Sequence, residues 1–289
     1  MSEKISALNA MMEPSSFTSI AGVYDMLSAR IAVQRGCRVL HVGGYALSAV
    51  RLGLPDVGLL TLSENVDAVS RIADSVNVPV IADGDDGYGN HINVVRLIRE
   101  LERGGLAGVH IEDQVFPKRC GHMAGKRIVS CEAMVQKIKA AVDTRKDRGF
   151  VIIARTDAIA VEGFEAAIDR ARSYREAGAD VMFVEAPVDD AQVAAIPKAV
   201  GIPALFNWCY RGRSPMPPVE DIRALGYRFI LMTDVVFAIA TRLRSLYDAI
   251  SADRGYGDDN VRDMISVDAF NEMIGLDEIE RLDRRFSTG

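Results

Sequence analysis

Eight short apolar runs recur along the chain, at 18–24, 38–43, 78–83, 108–113, 150–156, 180–185, 202–207 and 228–233. Most are continuous rather than alternating, as expected of strands covered on both faces. Between them lie stretches of helical spacing, at 64–76, 92–104, 131–146, 161–177, 189–200 and 218–225. Gly105, Gly178, Gly201 and Gly226 stand where helices stop before the next strand. Residues 1–15 add a leading helix that ends near Pro14. Repeated strand-then-helix units predict an α/β protein, a closed (β/α)8 barrel of the TIM type. A doubly wound open sheet is the alternative. No low-complexity segment or long linker divides the chain. It therefore reads as one barrel domain over residues 1–289, with an N-terminal helix and a charged helical tail from about Ser251.

Composition narrows the function classes. The chain has 289 residues, 49% of them hydrophobic, and a formal net charge of -6. Its basic residues are dispersed, which argues against nucleic acid as a partner. No apolar run is long enough to span a bilayer, and the N-terminus lacks the apolar stretch of a signal peptide. A cytoplasmic protein without a membrane partner is expected. Cys37, Cys120, Cys131 and Cys209 form no CxxC pair, so neither a disulfide framework nor a zinc site is expected.

Candidate chemistry gathers where the strands end, because the C-terminal ends of barrel strands line the active site. The ends carry Gly43, Gly44 and Tyr45; Asp83 and Asp85; Glu112 and Asp113; Arg155 and Asp157; then Glu185, Asn207 and Asp234. Asp83, Asp85 and Glu112 make an oxygen-only set with no His or Cys at ligand spacing, which suits Mg²⁺, or Mn²⁺, better than zinc. Two residues apart, Asp83 and Asp85 share one face if the chain is extended there. The alternative is that Asp85, Asp86 and Gly87 form only a turn. Arg155 ends a buried run and needs an anionic partner: a substrate carboxylate, Glu185 or Asp157. The stretch Pro117–Gly125 packs Lys118, Arg119, Cys120, Gly121 and His122 together and reads as a mobile, reactive loop. Its cations are expected to lower the pKa of the Cys120 thiol, which could donate a proton to a carbanion. His41 and His110 lie within strands and are expected to be core residues rather than catalytic ones.

Lys118, Arg119, Cys120, Gly121 and His122 resemble a signature of the isocitrate lyase and phosphoenolpyruvate mutase superfamily, on its lyase branch. The resemblance takes in residues 52–56, 83–89, 110–114 and 153–157, and runs from about residue 18 to 250. It implies a (β/α)8 barrel whose last helix is exchanged between subunits of a homodimer or homotetramer. It implies Mg²⁺ held by Asp83, Asp85 and Glu112, partly through water, and a small 2-hydroxy acid substrate. The loop cysteine resembles that of carbon–carbon lyases, which makes Cys120, His122 and Arg155 the expected catalytic residues. Gly43, Gly44, Tyr45, Asp56, Lys118, Arg119, Gly121, Arg155, Glu185 and Asn207 are the expected substrate contacts. The implied activity is retro-aldol cleavage of a 2-hydroxy di- or tricarboxylate, of 2-alkylmalate or 2,3-dimethylmalate type. Alternatives are methylisocitrate lyase, oxaloacetate hydrolase or decarboxylase, and phosphonopyruvate-type chemistry. The chain departs from methylisocitrate lyases at His41, at Gly43, in residues 207–212, and at Ala238 after Phe237; Arg211 and Arg213 are gained.

Overall fold

A computed structural model describes residues 2–287. The apolar runs form strands β1 (Thr18–Val23), β2 (Leu40–Val42), β3 (Val80–Asp83), β4 (Gly108–Glu112), β5 (Val151–Thr156), β6 (Val181–Val184), β7 (Ala204–Asn207) and β8 (Phe229–Met232). Each pairs in parallel with the next, and β8 returns to β1, closing an eight-stranded barrel. The expected fold class is the observed one. All residues of β3, β4, β5 and β6 are buried, which explains their unbroken apolar patterns.

The helices begin where side chains can cap them. Thr61 and Glu64 form a reciprocal cap on Leu62–Asp74, Asn90 and Asn93 do the same for His91–Arg103, and Ser130 caps Cys131–Thr144. The leading helix is shorter than its pattern predicts, Glu3–Ala10. Its Asn9 donates to the carbonyl of Gly149 at 2.7 Å, just before β5, so it packs at the end of the barrel opposite the strand C-termini. The helix expected over 161–177 is two, Ile159–Glu162 and Phe164–Glu176, because Gly163 takes φ +91° between them. Three further segments escaped the sequence pattern: Met26–Gln34, Gly44–Leu47 and the π-turn Ser48–Leu52.

Where the sequence reads as one domain over 1–289, the chain divides into two compact units, Met1–Asp234 and Val235–Gly289. The first holds the barrel. The second consists of helices Val235–Ser251, Asp258–Arg262, Val267–Ile274 and Leu276–Phe286. Within it the buried Asn260 donates to the Tyr256 carbonyl at 2.8 Å and its own carbonyl accepts from Arg242 at 2.9 Å. No helix among the described residues is long and apolar enough to cross a membrane.

Barrel closure depends on a close approach at Gly22. A Cβ there would lie 2.6 Å from the Cα of Thr233 and 2.9 Å from the carbonyl oxygen of Met232, both backbone atoms at the end of the neighbouring strand β8. Gly22→Ala is therefore expected to push β1 off β8 and to lower unfolding free energy by ~1–3 kcal/mol, as overpacking does. Urea denaturation checks this; an unchanged midpoint contradicts it.

Candidate active site

The register of the barrel sets the centre. Asp83 on β3 is opposite His110 on β4, and Glu112 on β4 is opposite Arg155 on β5. Asp83 accepts the Gly44 N–H at 2.8 Å through Oδ2 and the Asp85 N–H at 2.9 Å through Oδ1. His110 Nε2 stands 3.1 Å from the same Oδ1. The chain does not run on extended. Asp85 has φ +46°, and the Gly87 N–H closes a turn on the Gly84 carbonyl at 2.8 Å. The turn and the paired carboxylates are thus the same structure, in place of the shared strand face expected. A histidine also lies beside the acidic set, contrary to the sequence spacing, because β4 brings His110 alongside.

Lys118 reaches down from the loop after β4, buried, with Nζ 2.5 Å from Asp56 Oδ1 and 2.7 Å from Asp85 Oδ1. Burial would pull this ammonium's pKa down, but Asp85, Asp83 and Asp56 hold it well above the usual lysine range. Arg155 is buried among acids. Its Nε is 3.3 Å from Glu112 Oε2 and 3.0 Å from Asp157 Oδ2, and Nη2 is 3.1 Å from Asp157 Oδ1 and 3.6 Å from Glu185 Oε1. Both partners expected for it are present. Six buried carboxylates (Asp56, Asp83, Asp85, Glu112, Asp157, Glu185) therefore face three buried cations (Lys118, Lys126, Arg155).

That imbalance appears in the acids. Burial, with Asp83 and Asp56 nearby, raises Asp85 to about 7 against the pull of Lys118. Burial, then Asp157 and Asp83, push Glu112 well above the usual range against Arg155. Asp83 goes the other way: burial would raise it, but His110 and then Lys118 hold it well below. Glu112 Oε1 is buried with no protein hydrogen-bond partner. A divalent cation bound by hard oxygens would answer both the missing charge and the orphaned oxygen. No three His, Cys, Asp or Glu side chains among the described residues chelate an ion by themselves. The fit is therefore to an ion that keeps water or substrate oxygens in several positions, as Mg²⁺ does.

The loop is docked over this centre. Gln114 and Arg119 exchange hydrogen bonds of 2.7 and 3.0 Å. Lys126, buried, donates to the Gly121 carbonyl at 2.5 Å and to Asp157 Oδ1 at 2.7 Å. Gly121 lies against the charged floor: a Cβ there would sit 2.0 Å from Glu185 Oε1 and 2.4 Å from Arg155 Nη2, so any larger residue would displace those side chains. His122 Nδ1 accepts the Arg213 N–H at 3.0 Å, which leaves the ring proton on Nε2, 3.5 Å from Glu185 Oε1. Asn207 Nδ2 is 3.2 Å from the same Nε2 and 3.3 Å from Glu185 Oε1. The Arg213 guanidinium bonds the His122 carbonyl at 3.0 Å, and Arg211 stacks on the Tyr210 ring at 5.2 Å.

Cys120 differs from its expectation. Burial pushes its thiol up to about 11; the His122 N–H and Arg155 pull down, and Asp56 and Glu185 push up. The cations adjacent in sequence do not set its chemistry, because Lys118 is spent on carboxylates and Arg119 points away. The thiol is protonated near neutrality, the form a proton donor needs. Arg119, an expected substrate contact, is exposed and donates to the Ala124 carbonyl at 3.2 Å. Gly43 precedes the Gly44–Leu47 turn, its Cβ direction toward the His41 ring. Tyr45 is 41% exposed, near enough to Cys120, Asp56 and Cys209 to feel their charges. Asp56, Lys118, Gly121, Arg155, Glu185, Asn207 and His122 are brought together. His41 is buried at 5.0 Å from His110, its ring nitrogens without a protein partner; burial drives its pKa down to about 3. Sequence reasoning missed Lys126, whose role depends on a contact 31 residues away at Asp157.

The family model described as phosphoenolpyruvate phosphomutase matches residues 8–265. The chain belongs to that family. Within it, 2,3-dimethylmalate lyase of Eubacterium barkeri is 40% identical over 270 residues, 93% of each chain. A 2-methylisocitrate lyase of Aeropyrum pernix is 38% identical over 280 residues, 97% of this chain and 90% of that one. A crystal structure of 2,3-dimethylmalate lyase superposes with a TM-score of 0.92 at 34% identity, covering 99% of this chain and 96% of the other. That of oxaloacetate acetylhydrolase with the inhibitor 3,3-difluorooxalacetate gives 0.90 at 36% identity, covering 98% of both. The chain is an enzyme of the family, of the carbon–carbon lyase kind.

The half-buried thiol, raised by its surroundings, yields a direct expectation. Carbamidomethylation of Cys120, followed residue by residue by mass spectrometry, should go on accelerating until pH reaches about 11. An ordinary thiol levels off near ~8.5; a plateau there would contradict the raised, protonated thiol.

Proposed function

We propose that this enzyme cleaves the C2–C3 bond of a 2-alkylmalate-type 2-hydroxy dicarboxylate, giving a 2-oxo acid and a saturated carboxylic acid. The observation that carries the reading is the loop docked on the charged floor, with Gly121 against Arg155 and Glu185 and Cys120 beside it; burial raises the thiol, which suits a proton donor. Asp83, Asp85 and Glu112 would hold a Mg²⁺ ion (Mn²⁺ suits the same donors), which when bound polarises the substrate's 2-oxygen and adjacent carboxylate.

The chain's own groups divide the remaining work. Arg155, fixed by Glu112, Asp157 and Glu185, presents a rigid cation to charge that develops as the bond breaks. The 2-hydroxyl passes its proton to a carboxylate of the acidic rim, its O–H electrons form the new carbonyl at C2, and the C2–C3 pair passes to C3. Cys120 gives its thiol proton to that carbanion, and the thiolate regains a proton before the next turnover. His122, oriented by Arg213, and Asn207 line the same wall through Glu185. The docked loop excludes water that would compete for the carbanion.

A dicarboxylate is favoured over a tricarboxylate because the cations gained after β7 are committed elsewhere. Arg213 bonds the His122 carbonyl and Arg211 stacks on Tyr210. Gly43, Gly44, Tyr45 and Asp56 belong to the proposed substrate wall; exposed Arg119 does not. Oxaloacetate hydrolysis is the second reading, favoured by the structural likeness to oxaloacetate acetylhydrolase. The proposal includes a cytoplasmic location and a homodimer or homotetramer. In the latter, a second copy would cover Val235, Ile239, Leu243 and Tyr247 of the helix Val235–Ser251, each between 39% and 61% exposed.

Alkylmalates, methylisocitrate and oxaloacetate, each supplied with Mg²⁺ and followed by product identification, test the reading. A 2-oxo acid with acetate is expected from a 2-alkylmalate, and pyruvate with propionate from 2,3-dimethylmalate; pyruvate with succinate would come only from methylisocitrate. Acetate plus oxalate from oxaloacetate as the fastest reaction would sink the lyase reading, and methylisocitrate as much the best substrate would sink the dicarboxylate. Cys120→Ser should lower kcat by ~10²–10⁴, the range for a lost general acid. EDTA should abolish turnover and Mg²⁺ restore it.

A further inference from the structure

The loop that carries Cys120 is bound to the charged floor at one point that none of the expected site residues supplies. Lys126, its side chain 1% exposed, places Nζ between the Gly121 carbonyl at 2.5 Å and Asp157 Oδ1 at 2.7 Å. Gly121 lies between Cys120 and His122 in the chain. Asp157 is fully buried and takes both Nη2 and Nε of Arg155, at 3.1 and 3.0 Å. Its backbone N–H is in turn fixed by Asp113 Oδ1 at 2.9 Å, and Asp113 is held by Thr156 and Tyr174 at 2.7 and 2.8 Å. One ammonium thus ties the loop's central carbonyl to the carboxylate that orients Arg155. Gly121 is pressed onto Arg155 from the other side, since even a Cβ would overlap Nη2.

We propose that Lys126 is a positioning residue, a latch that couples docking of the Cys120 loop to the placement of Arg155. The inference rests on the lyase reading for its catalytic consequence, but its structural consequence stands apart from any substrate. The other ties of the loop act elsewhere. Lys118 holds its entry on Asp56 and Asp85, and Gln114 holds the Arg119 backbone. Neither touches the Gly121 carbonyl or Asp157. An ammonium suits the latch because it serves two acceptors lying in different directions, which a neutral donor of similar length does less well. Losing it leaves Asp157 with one cation fewer and the Gly121 carbonyl without its buried donor, so the loop loses its anchor at the residue next to the thiol.

Lys126→Met keeps length and removes the donor; Lys126→Arg keeps the charge. In the full chain without substrate, Lys126→Met should accelerate Cys120 carbamidomethylation at pH 8 by about tenfold or more, as the thiol becomes more exposed and more readily ionised. Lys126→Arg should stay close to the parent rate. With the best alkylmalate and Mg²⁺, Lys126→Met should lower kcat by ~100-fold, the scale for a misplaced catalytic group, with KM changing by less than about threefold. Lys126→Arg should recover much of that loss. If Lys126→Met does not fold, as circular dichroism would reveal, Lys126→Gln is put through the same measurements. Parent-like alkylation together with parent-like kcat in the folded variant overturns the latch, and so does a loss that falls on KM alone. If the parent protein turns over no 2-hydroxy acid, the function proposal fails while the alkylation rates still decide the latch.

Discussion

The rest of the site depends on an excess of buried negative charge at the C-terminal rim of the barrel. Carboxylates from β3, β4, β5, β6 and the loop after β2 are packed around Lys118, Lys126 and Arg155. Such charges are costly to bury and remain only where each has a partner. The shortfall of cations is met in the protein itself by raised acids, Asp85 and Glu112. In the proposed reading that shortfall is what a divalent cation would answer. Charge balance therefore links the fold to its chemistry more firmly than any one motif.

In the proposed reading the loop makes that centre a device for proton delivery. Its lysines are not free cations awaiting substrate but ties into the floor. Lys118 spans Asp56 and Asp85, and Lys126 spans the Gly121 carbonyl and Asp157. With the cations spent in this way, burial governs Cys120, and burial keeps a thiol protonated. A low-pKa thiolate would be a better nucleophile but could not supply the proton a new carbanion requires.

The barrel was legible because its period is local: continuous apolar runs alternating with capped, glycine-ended helices state the strand order directly. The acidic set was also legible, since Asp83 and Glu112 end their strands and Asp85 follows two residues on. What sequence could not supply was geometry across elements. Asp85 left the strand through a turn at φ +46°, and His110 came beside Asp83 through the β3–β4 register. The Cys120 environment was misread for the same reason. Neighbours in sequence suggested a lowered pKa, whereas the fold turns Arg119 outward and half-buries Cys120, whose thiol is raised. The partners of the gained Arg211 and Arg213, Tyr210 and His122, were equally out of reach of the sequence. The segment Gly44–Leu52 was missed because its four-residue helix and π-turn are too short to show a period.

Substrate choice follows from what surrounds the constant centre. In the proposed reading Tyr45 and Glu185, near Cys120, and Asn207 and His122, beside Glu185, make the substrate wall; Arg213 holds the His122 carbonyl and Arg211 stacks on Tyr210. The central claim is that C–C cleavage leaves a carbanion that Cys120 alone protonates, inside a closed site. Turnover of 2,3-dimethylmalate with Mg²⁺ in D₂O, with the products examined by NMR, tests it most directly. The account predicts propionate carrying one deuterium at C2 in a single configuration. Propionate deuterated in both configurations equally would mean that solvent rather than Cys120 delivers the proton, and would contradict the account.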